Sequence, residues 1–260
     1  MNQTTTSLKW TIALLLFAFL SACKSEETPL RISAASSMQF VMEELIADYE
    51  QRFEVDCELI TTSSGKLKAQ IEMGAPYDVF VSADGQYTQA LAEKGKVVGE
   101  PIPFVTGRLA IFMTKGLGIT DLLKGNFEHL TMPNPETAPY GRAAKEYLEG
   151  VKIYDLYQDR IVTGESAAQS NQHFVSGAAE IALLPLSMID AVAEARMEAG
   201  TGSDRDWANM IDATFHAPIE HSIIIVDHQE AHAKAPEFVS YLQSEDAWSI
   251  LKNFGYSRPN

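Results

Sequence analysis

Residues 30–84 read LRISAASSMQFVMEELIADYEQRFEVDCELITTSSGKLKAQIEMGAPYDVFVSAD and alternate strand patterns with helix patterns. Three short apolar runs, Leu30–Ala35, Val55–Thr62 and Tyr77–Val81, have the length and composition of strands. The segments after them place apolar residues at helical spacing, and the last of these helices is expected from about Asp84. Because crossover helices join parallel neighbouring strands, this order predicts an α/β fold with a mainly parallel sheet flanked by helices on both faces.

A second α/β unit follows the first along the chain. Its predicted strands are Pro103–Thr114, with an interruption expected at Gly107, and then Phe127–Thr131, Asp159–Thr163 and Ala179–Leu184. The stretch Asp204–Asp212 is interpreted as a connection or a short helix. A strongly apolar strand, Glu220–Asp227, then precedes two closing helices.

Two such units with a late strand predict two lobes joined by crossing strands. We expect lobe 1 to comprise residues 30–106 and 220–260, and lobe 2 to comprise residues 107–219. In open α/β sheets a ligand lies near strand C-termini and helix N-termini. The ligand cleft is therefore expected between the lobes.

The first 23 residues have the layout of an export signal. Lys9 precedes the apolar run Thr11–Leu20, which is too short for a permanent membrane span. The run ends in Leu20-Ser21-Ala22-Cys23, which resembles the lipobox of bacterial lipoproteins. We expect a signal peptide at residues 1–22, a lipid on Cys23 and a polar tether at residues 23–29. An ordinary secretory signal is the alternative, and either interpretation places the mature protein in the cell envelope or periplasm.

Composition narrows the function classes. The chain has 260 residues and a formal net charge of −15, and removing residues 1–22, which hold Lys9 and no acidic residue, would make it −16. Such an acidic surface does not favour nucleic acid or anionic lipid as a partner. The hydrophobic fraction of 46% is typical of a globular protein. We also expect the protein to be a monomer.

Small hydroxyl residues stand at the strand-to-helix junctions of the first unit. Ser36 follows the first predicted strand and Ser64 follows the second, while Tyr140 and Ala167 open helices of the second unit. A helix N-terminus presents free N–H groups and a partial positive charge, which attract anions. The alternative is that the serines only cap their own helices.

The stretch Gln70-Ile71-Glu72-Met73-Gly74-Ala75-Pro76-Tyr77-Asp78-Val79-Phe80-Val81-Ser82-Ala83-Asp84 resembles the periplasmic molybdate-binding proteins of ABC transporters, the ModA family. Weaker similarity covers most of the remaining mature chain. The resemblance implies a two-lobed type II periplasmic binding fold with a tetrahedral oxyanion in the cleft. It also implies no catalytic step, no cofactor, and the membrane subunits of an ABC importer as partners.

The resemblance also implies the site residues. Oxyanion oxygens would bind the hydroxyl and N–H groups of Ser36 and Ser64 and the backbone N–H groups of Tyr140 and Ala167. A Tyr hydroxyl completes the site in well-known family members, but Pro185 stands at that position here. Pro has neither a hydroxyl nor an N–H, so another group has to replace this contact.

Two alternatives stay open beside molybdate or tungstate capture. The same fold could bind sulfate or another small anion, because Pro185 departs from the family pattern. A different class of function, an envelope metal-binding lipoprotein or enzyme, would use the late His cluster of His228 and His232 with His216 and His221.

Overall fold

The computed structural model of the protein describes residues 28–198 and 207–259. Cys23, the predicted signal peptide and most of the predicted tether lie outside the described residues. The described strands are β1 Leu30–Ala35, β2 Cys57–Thr62, β3 Val79–Ser82, β4 Val97–Gly107, β5 Leu109–Met113, β6 Leu130–Pro133, β7 Ile161–Gly164, β8 Ile181–Pro185, β9 Trp207–Met210 and β10 Ile219–Val226.

Ten α-helices are described between these strands. They are α1 Gln39–Phe53, α2 Ser64–Glu72, α3 Gly85–Glu93, α4 Ile119–Lys124, α5 Pro139–Gly150, α6 Tyr154–Tyr157, α7 Ala167–Val175, α8 Ile189–Glu198, α9 Ala235–Leu242 and α10 Glu245–Asn253. Short 3-10 helices, Ser36–Met38 and Leu186–Met188, follow β1 and β8. Among the described helices, none is both long enough and apolar enough to cross a bilayer.

The strands form two five-stranded sheets. The first sheet has the order β2-β1-β3-β10-β4, in which β1, β2 and β3 are parallel and β10 is antiparallel to both of its neighbours. The second has the order β7-β6-β8-β5-β9, in which β6, β7 and β8 are parallel and β5 is antiparallel to β8 and β9. The α/β class is confirmed, and each sheet is mixed, because only the strands joined by crossover helices run parallel.

Helices cover both faces of each sheet, and apolar residues fill the layers between them. In lobe 1, the unit built on the first sheet, α1, α9 and α10 pack on one face and α2 and α3 on the other. In lobe 2, the unit built on the second sheet, α4 and α5 pack on one face and α7 and α8 on the other. These layers place the N-termini of α2, α5 and α7 next to the ends of their strands.

The described part of the chain crosses between the sheets twice. The interruption expected at Gly107 within Pro103–Thr114 is confirmed, because β4 ends at Gly107 in the first sheet and β5 begins at Leu109 in the second. The chain returns between β9 and β10. The interpretation of Asp204–Asp212 as a connection or helix was wrong for residues 207–210, which form the edge strand β9 on β5. The lobe boundaries expected at residues 107 and 220 stay a prediction.

Candidate functional site

A small uncharged cavity lies between the two lobes. Its volume is about 10 Å³, and its lining comprises Ala35, Ser36, Ser37, Ser63, Ser64, Ala138, Pro139, Tyr140 and Ala167. None of these residues is Asp, Glu, Lys, Arg or His. A volume of this size is about that of one water-sized sphere, so the lobes close tightly around it.

All four residues that the sequence proposed for the site line this one cavity. Ser36 is the first residue of a 3-10 helix, Ser64 and Ala167 are the first residues of α2 and α7, and Tyr140 is the second residue of α5. N–H groups in a first helical turn have no partner within their helix. The two lobes therefore present helix N-termini to the cavity from both sides.

The serine hydroxyls do not cap their own helices. The N-cap positions of the 3-10 helix, α1 and α2 are Ala35, Met38 and Ser63, and none makes a side-chain capping bond. Instead Ser64 Oγ accepts a hydrogen bond from Ala83 N at 3.1 Å, and Ser36 Oγ accepts one from Ala168 N at 3.4 Å, across the lobe boundary. Since each hydroxyl accepts, its own hydrogen is left to donate to a bound group.

Two further serines line the cavity and were not proposed from the sequence. Ser37 and Ser63 are 5% and 3% exposed, and their hydroxyls have no hydrogen-bond partner among the described residues. Buried hydroxyls are normally paired. Each of them is adjacent in the sequence to a proposed site residue, Ser36 or Ser64, and this adjacency was the only signal for their role. The periodicity of the sequence did not show that both serines of each pair line the cavity.

Contacts between the lobes surround the cavity. Gly65 N donates to Thr137 O at 2.9 Å, and Lys66 forms an ion pair with Glu165. On another side Arg142 forms an ion pair with Asp84 and donates to the Tyr87 hydroxyl at 3.1 Å. These residues lie at the first turns of α2, α3 and α5 and just before α7, so they join the same segments that line the cavity.

Pro185 does not line the cavity. It ends β8, opposite Leu109, and is fully within the sheet. The Tyr140 side chain, which also lines the cavity, is buried beside His221 and Gly107. Burial raises the pKa of Tyr140 well above its usual value, so this hydroxyl stays neutral.

The late histidines do not converge on a metal site. His228 Nε2 lies 3.0 Å from Asp78 Oδ1, while His232 Nδ1 accepts from Lys234 N at 3.1 Å. His221 is buried, and His216 Nδ1 lies 2.8 Å from Ala217 O. Within residues 28–198 and 207–259 no three His, Cys, Asp or Glu side chains are grouped to hold a metal ion.

Known proteins similar to this chain include molybdate-binding proteins. A molybdate-binding protein ModA of Azotobacter vinelandii is 28% identical over 248 residues, covering 93% of this chain and 94% of that protein. ModA of Escherichia coli is 26% identical, covering 94% and 95%. The solved structure of the Azotobacter vinelandii periplasmic molybdate-binding protein matches with a TM-score of 0.80 and 29% identity, over 89% of this chain and all of that one.

These likenesses confirm the resemblance inferred from residues 70–84, and the structural match confirms the two-lobed binding fold. Residues 30–257 match the family described as bacterial extracellular solute-binding protein. The chain belongs to this family of extracellular solute-binding proteins and is a binding protein, not an enzyme.

Proposed function

We propose that this protein captures molybdate or tungstate between its lobes and delivers it to the membrane subunits of an ABC importer, held to a membrane by a lipid on Cys23. Its oxyanion would contact Ser36, Ser64, Tyr140 and Ala167. The names of the relatives support molybdate as the ligand. The lipobox-like residues 20–23 support the anchor.

One observation carries the proposal: helix N-termini from both lobes and serine hydroxyls from lobe 1 meet at a cavity lined by no acidic side chain. Each such donor is suited to an anion, through its N–H or O–H and through the partial charge of the helix end. A site built in this way needs no Lys or Arg to bind a dianion. Hydrogen bonds to a charged group contribute roughly 1.5–3 kcal/mol each, so a few are enough for micromolar affinity or better after the costs of closure.

A cavity of donors also selects among anions. Phosphate carries a proton at neutral pH, and its O–H would need an acceptor that the serine hydroxyls and N–H groups provide poorly. Molybdate, tungstate and sulfate are unprotonated and accept at every oxygen. The size of the closed cavity then has to separate sulfate from the two larger ions, and sulfate is the second candidate because Pro185 departs from the family pattern.

Isothermal titration of a soluble form that starts after Cys23 tests the proposal. The ligands are molybdate, tungstate, sulfate and phosphate, each added to the same preparation. We expect one-to-one binding of molybdate and tungstate and no heat from phosphate. Tight binding of sulfate without binding of molybdate or tungstate would make sulfate the ligand. The absence of binding by all four anions would contradict the proposed function.

Serine variants test the site assignment. We expect Ser36→Ala and Ser64→Ala each to weaken molybdate binding by roughly 1–3 kcal/mol, because each removes a hydroxyl donor to a charged ligand. Ser240→Ala is the matched control, since its hydroxyl bonds Pro236 O on an exposed part of α9. Wild-type affinity in both site variants would contradict the assignment while leaving the ligand panel intact.

A further inference from the structure

A chain of hydroxyl groups crosses between the lobes behind the cavity. Tyr256 Oη lies 3.1 Å from Ser187 Oγ, and Ser187 Oγ lies 3.0 Å from the backbone carbonyl of Ser37. Tyr256 Oη is also 3.3 Å from that carbonyl. All three residues are buried, with exposures of 5%, 8% and 5% for Tyr256, Ser187 and Ser37.

The hydrogens available give this chain a direction. Each hydroxyl has one hydrogen to donate, and the Ser37 carbonyl can only accept. The shorter contacts are satisfied together when Tyr256 donates to Ser187 and Ser187 donates to Ser37 O. Burial raises the pKa of Tyr256 above its usual value, so its hydroxyl keeps that hydrogen at every physiological pH.

The three residues come from three parts of the molecule. Ser37 belongs to the turn of lobe 1 that lines the cavity, and Ser187 follows β8 of lobe 2. Tyr256 belongs to the C-terminal segment, whose Ser257 exchanges two backbone hydrogen bonds with Thr106 in the crossing strand β4. The Tyr256 ring also meets the His221 ring edge to face, with centroids 5.4 Å apart. Tyr256 is therefore fixed where the lobes, the crossing strands and the chain end meet.

We propose that Tyr256 is a positioning residue for ligand capture: through Ser187 it holds the Ser36–Ser37 turn against lobe 2 in the closed form. Tyr256 does not line the cavity, so it acts through the Ser37 backbone and not by touching the ligand. This inference rests on the proposed oxyanion function and adds to it a role for the chain end. It also assigns a role to Ser187, two residues after the Pro185 that lacks the family's hydroxyl.

The variants Tyr256→Phe, Ser187→Ala and their combination test the proposal. Phe keeps the ring and removes only the hydroxyl. The control is Tyr241→Phe, which removes a buried tyrosine hydroxyl bonded to Asp48 at 2.7 Å in lobe 1, away from the cavity. Each variant is measured for its molybdate Kd, its molybdate dissociation rate and the thermal unfolding of the ligand-free protein.

We expect Tyr256→Phe and Ser187→Ala each to raise the Kd about three- to tenfold, mostly through faster dissociation. The double variant should have a Kd no higher than that of the single variant with the higher Kd, because both changes break the same chain of hydrogen bonds. Tyr241→Phe should keep the wild-type Kd, although its ligand-free unfolding temperature should fall because it breaks a buried hydrogen bond to Asp48.

The following results would overturn the positioning role. A wild-type Kd in Tyr256→Phe overturns it, as does full additivity in the double variant. If Tyr256→Phe does not fold, Ser187→Ala decides, and an unchanged Kd there overturns it. A wild-type protein that binds no oxyanion overturns the proposed function and this inference together, whereas wild-type binding with unaffected variants overturns this inference alone.

Discussion

The hydroxyl groups of Ser37 and Ser63 are buried, and they have no hydrogen-bond partner within the described part of the chain. A buried hydroxyl without a hydrogen bond destabilises the protein by roughly 1–3 kcal/mol. Ser33 gives the contrast, since it is equally buried but donates to Val79 O at 3.0 Å. Unpaired hydroxyl groups that line a cavity are groups to which a ligand in that cavity can bond.

Replacing these two serines should therefore separate affinity from stability. We expect Ser37→Ala and Ser63→Ala to leave the free energy of unfolding of the ligand-free protein unchanged or to raise it by up to about 1 kcal/mol. Both should weaken molybdate binding. The measurements are urea unfolding without ligand and titration with it.

The control for this prediction is Ser33→Ala. It should lower the free energy of unfolding by about 1 kcal/mol because it breaks a buried hydrogen bond, while leaving the molybdate Kd unchanged. A marked loss of stability in Ser37→Ala and Ser63→Ala, together with wild-type affinity, would mean that these hydroxyls serve the fold and not the ligand.

At the scale of single elements, helix α5 depends on close packing at its first turn. A Cβ added to Gly141 would lie 2.3 Å from Pro133 O and 2.7 Å from Asn134 C, at the end of β6. Both neighbours are backbone, so they cannot move aside as a side chain would. Gly141 follows Tyr140, and the position of the α5 N-terminus at the cavity therefore depends on this glycine.

We expect Gly141→Ala to lower the free energy of unfolding by about 1–3 kcal/mol, the usual cost of overpacking, and to weaken molybdate binding as α5 is displaced. Gly85→Ala is the control, because Gly85 also lies in the first turn of a helix, α3, but a Cβ there meets nothing within 4 Å. Urea unfolding and titration of both variants check this. Equal behaviour of the two alanine variants would contradict the packing argument.

The elements that the sequence predicted well are those with strong local patterns. The strands of residues 30–84 and helix α7 have their apolar periods and their turn residues in agreement, so their existence and order followed from pattern alone. Strand β9 did not, because its residues, Trp207-Ala208-Asn209-Met210, alternate weakly and depend on pairing with β5. Helix α8, Ile189–Glu198, was missed because its hydrophobic face is weak.

The candidate site could be predicted only in part, for a related reason. Helix N-termini are local features, so Ser36, Ser64, Tyr140 and Ala167 could be proposed from their positions and from the family resemblance. The bonds from Ala83 N and Ala168 N to the serine oxygens join residues distant in the chain. The chain of hydroxyls through Tyr256 spans 219 positions to Ser37. No periodicity in a single sequence reports such contacts.

At the scale of the whole molecule, stability should depend on pH through His221. This side chain is 1% exposed, and burial lowers its pKa from 6.5 to about 4. The unfolded chain takes up a proton below about pH 6.5, whereas the folded protein does so only near pH 4. The free energy of unfolding is therefore highest above pH 6.5 with respect to this group. It falls as the pH decreases from 6.5 to 4, by about 3 kcal/mol at pH 4.

We expect His221→Leu to lose less stability than the wild type between pH 7 and pH 4, by an amount on the order of 3 kcal/mol. Urea unfolding at several pH values measures this. His129→Gln, at an exposed position, is the control and should follow the wild-type profile. Parallel profiles for wild type and His221→Leu would show that another group controls the acid sensitivity.

The closed arrangement of the lobes is held in part by the ion pair of Lys66 with Glu165. Lys66 lies in the first turn of α2, two residues after Ser64, and Glu165 lies two residues before Ala167. The side chains are 41% and 62% exposed, so solvent screens the pair and its contribution is about 0.2–1 kcal/mol. Because the pair joins the lobes, that contribution should be present in the closed form and absent once they separate.

Glu165→Gln distinguishes this role from a simple effect of charge on the ligand. Removing a negative charge near a bound dianion should tighten binding if only the local potential matters. If the pair holds the lobes closed, the same change should instead weaken molybdate binding, up to about fivefold. Lys66→Gln should weaken it under either account, so Glu165→Gln is the informative variant.

Titration at about 0.05 M and about 0.5 M salt completes the test, because screening should make the molybdate affinities of wild type and Glu165→Gln similar at high salt. Tighter binding by Glu165→Gln at low salt would exclude the ion pair as a contributor to closure.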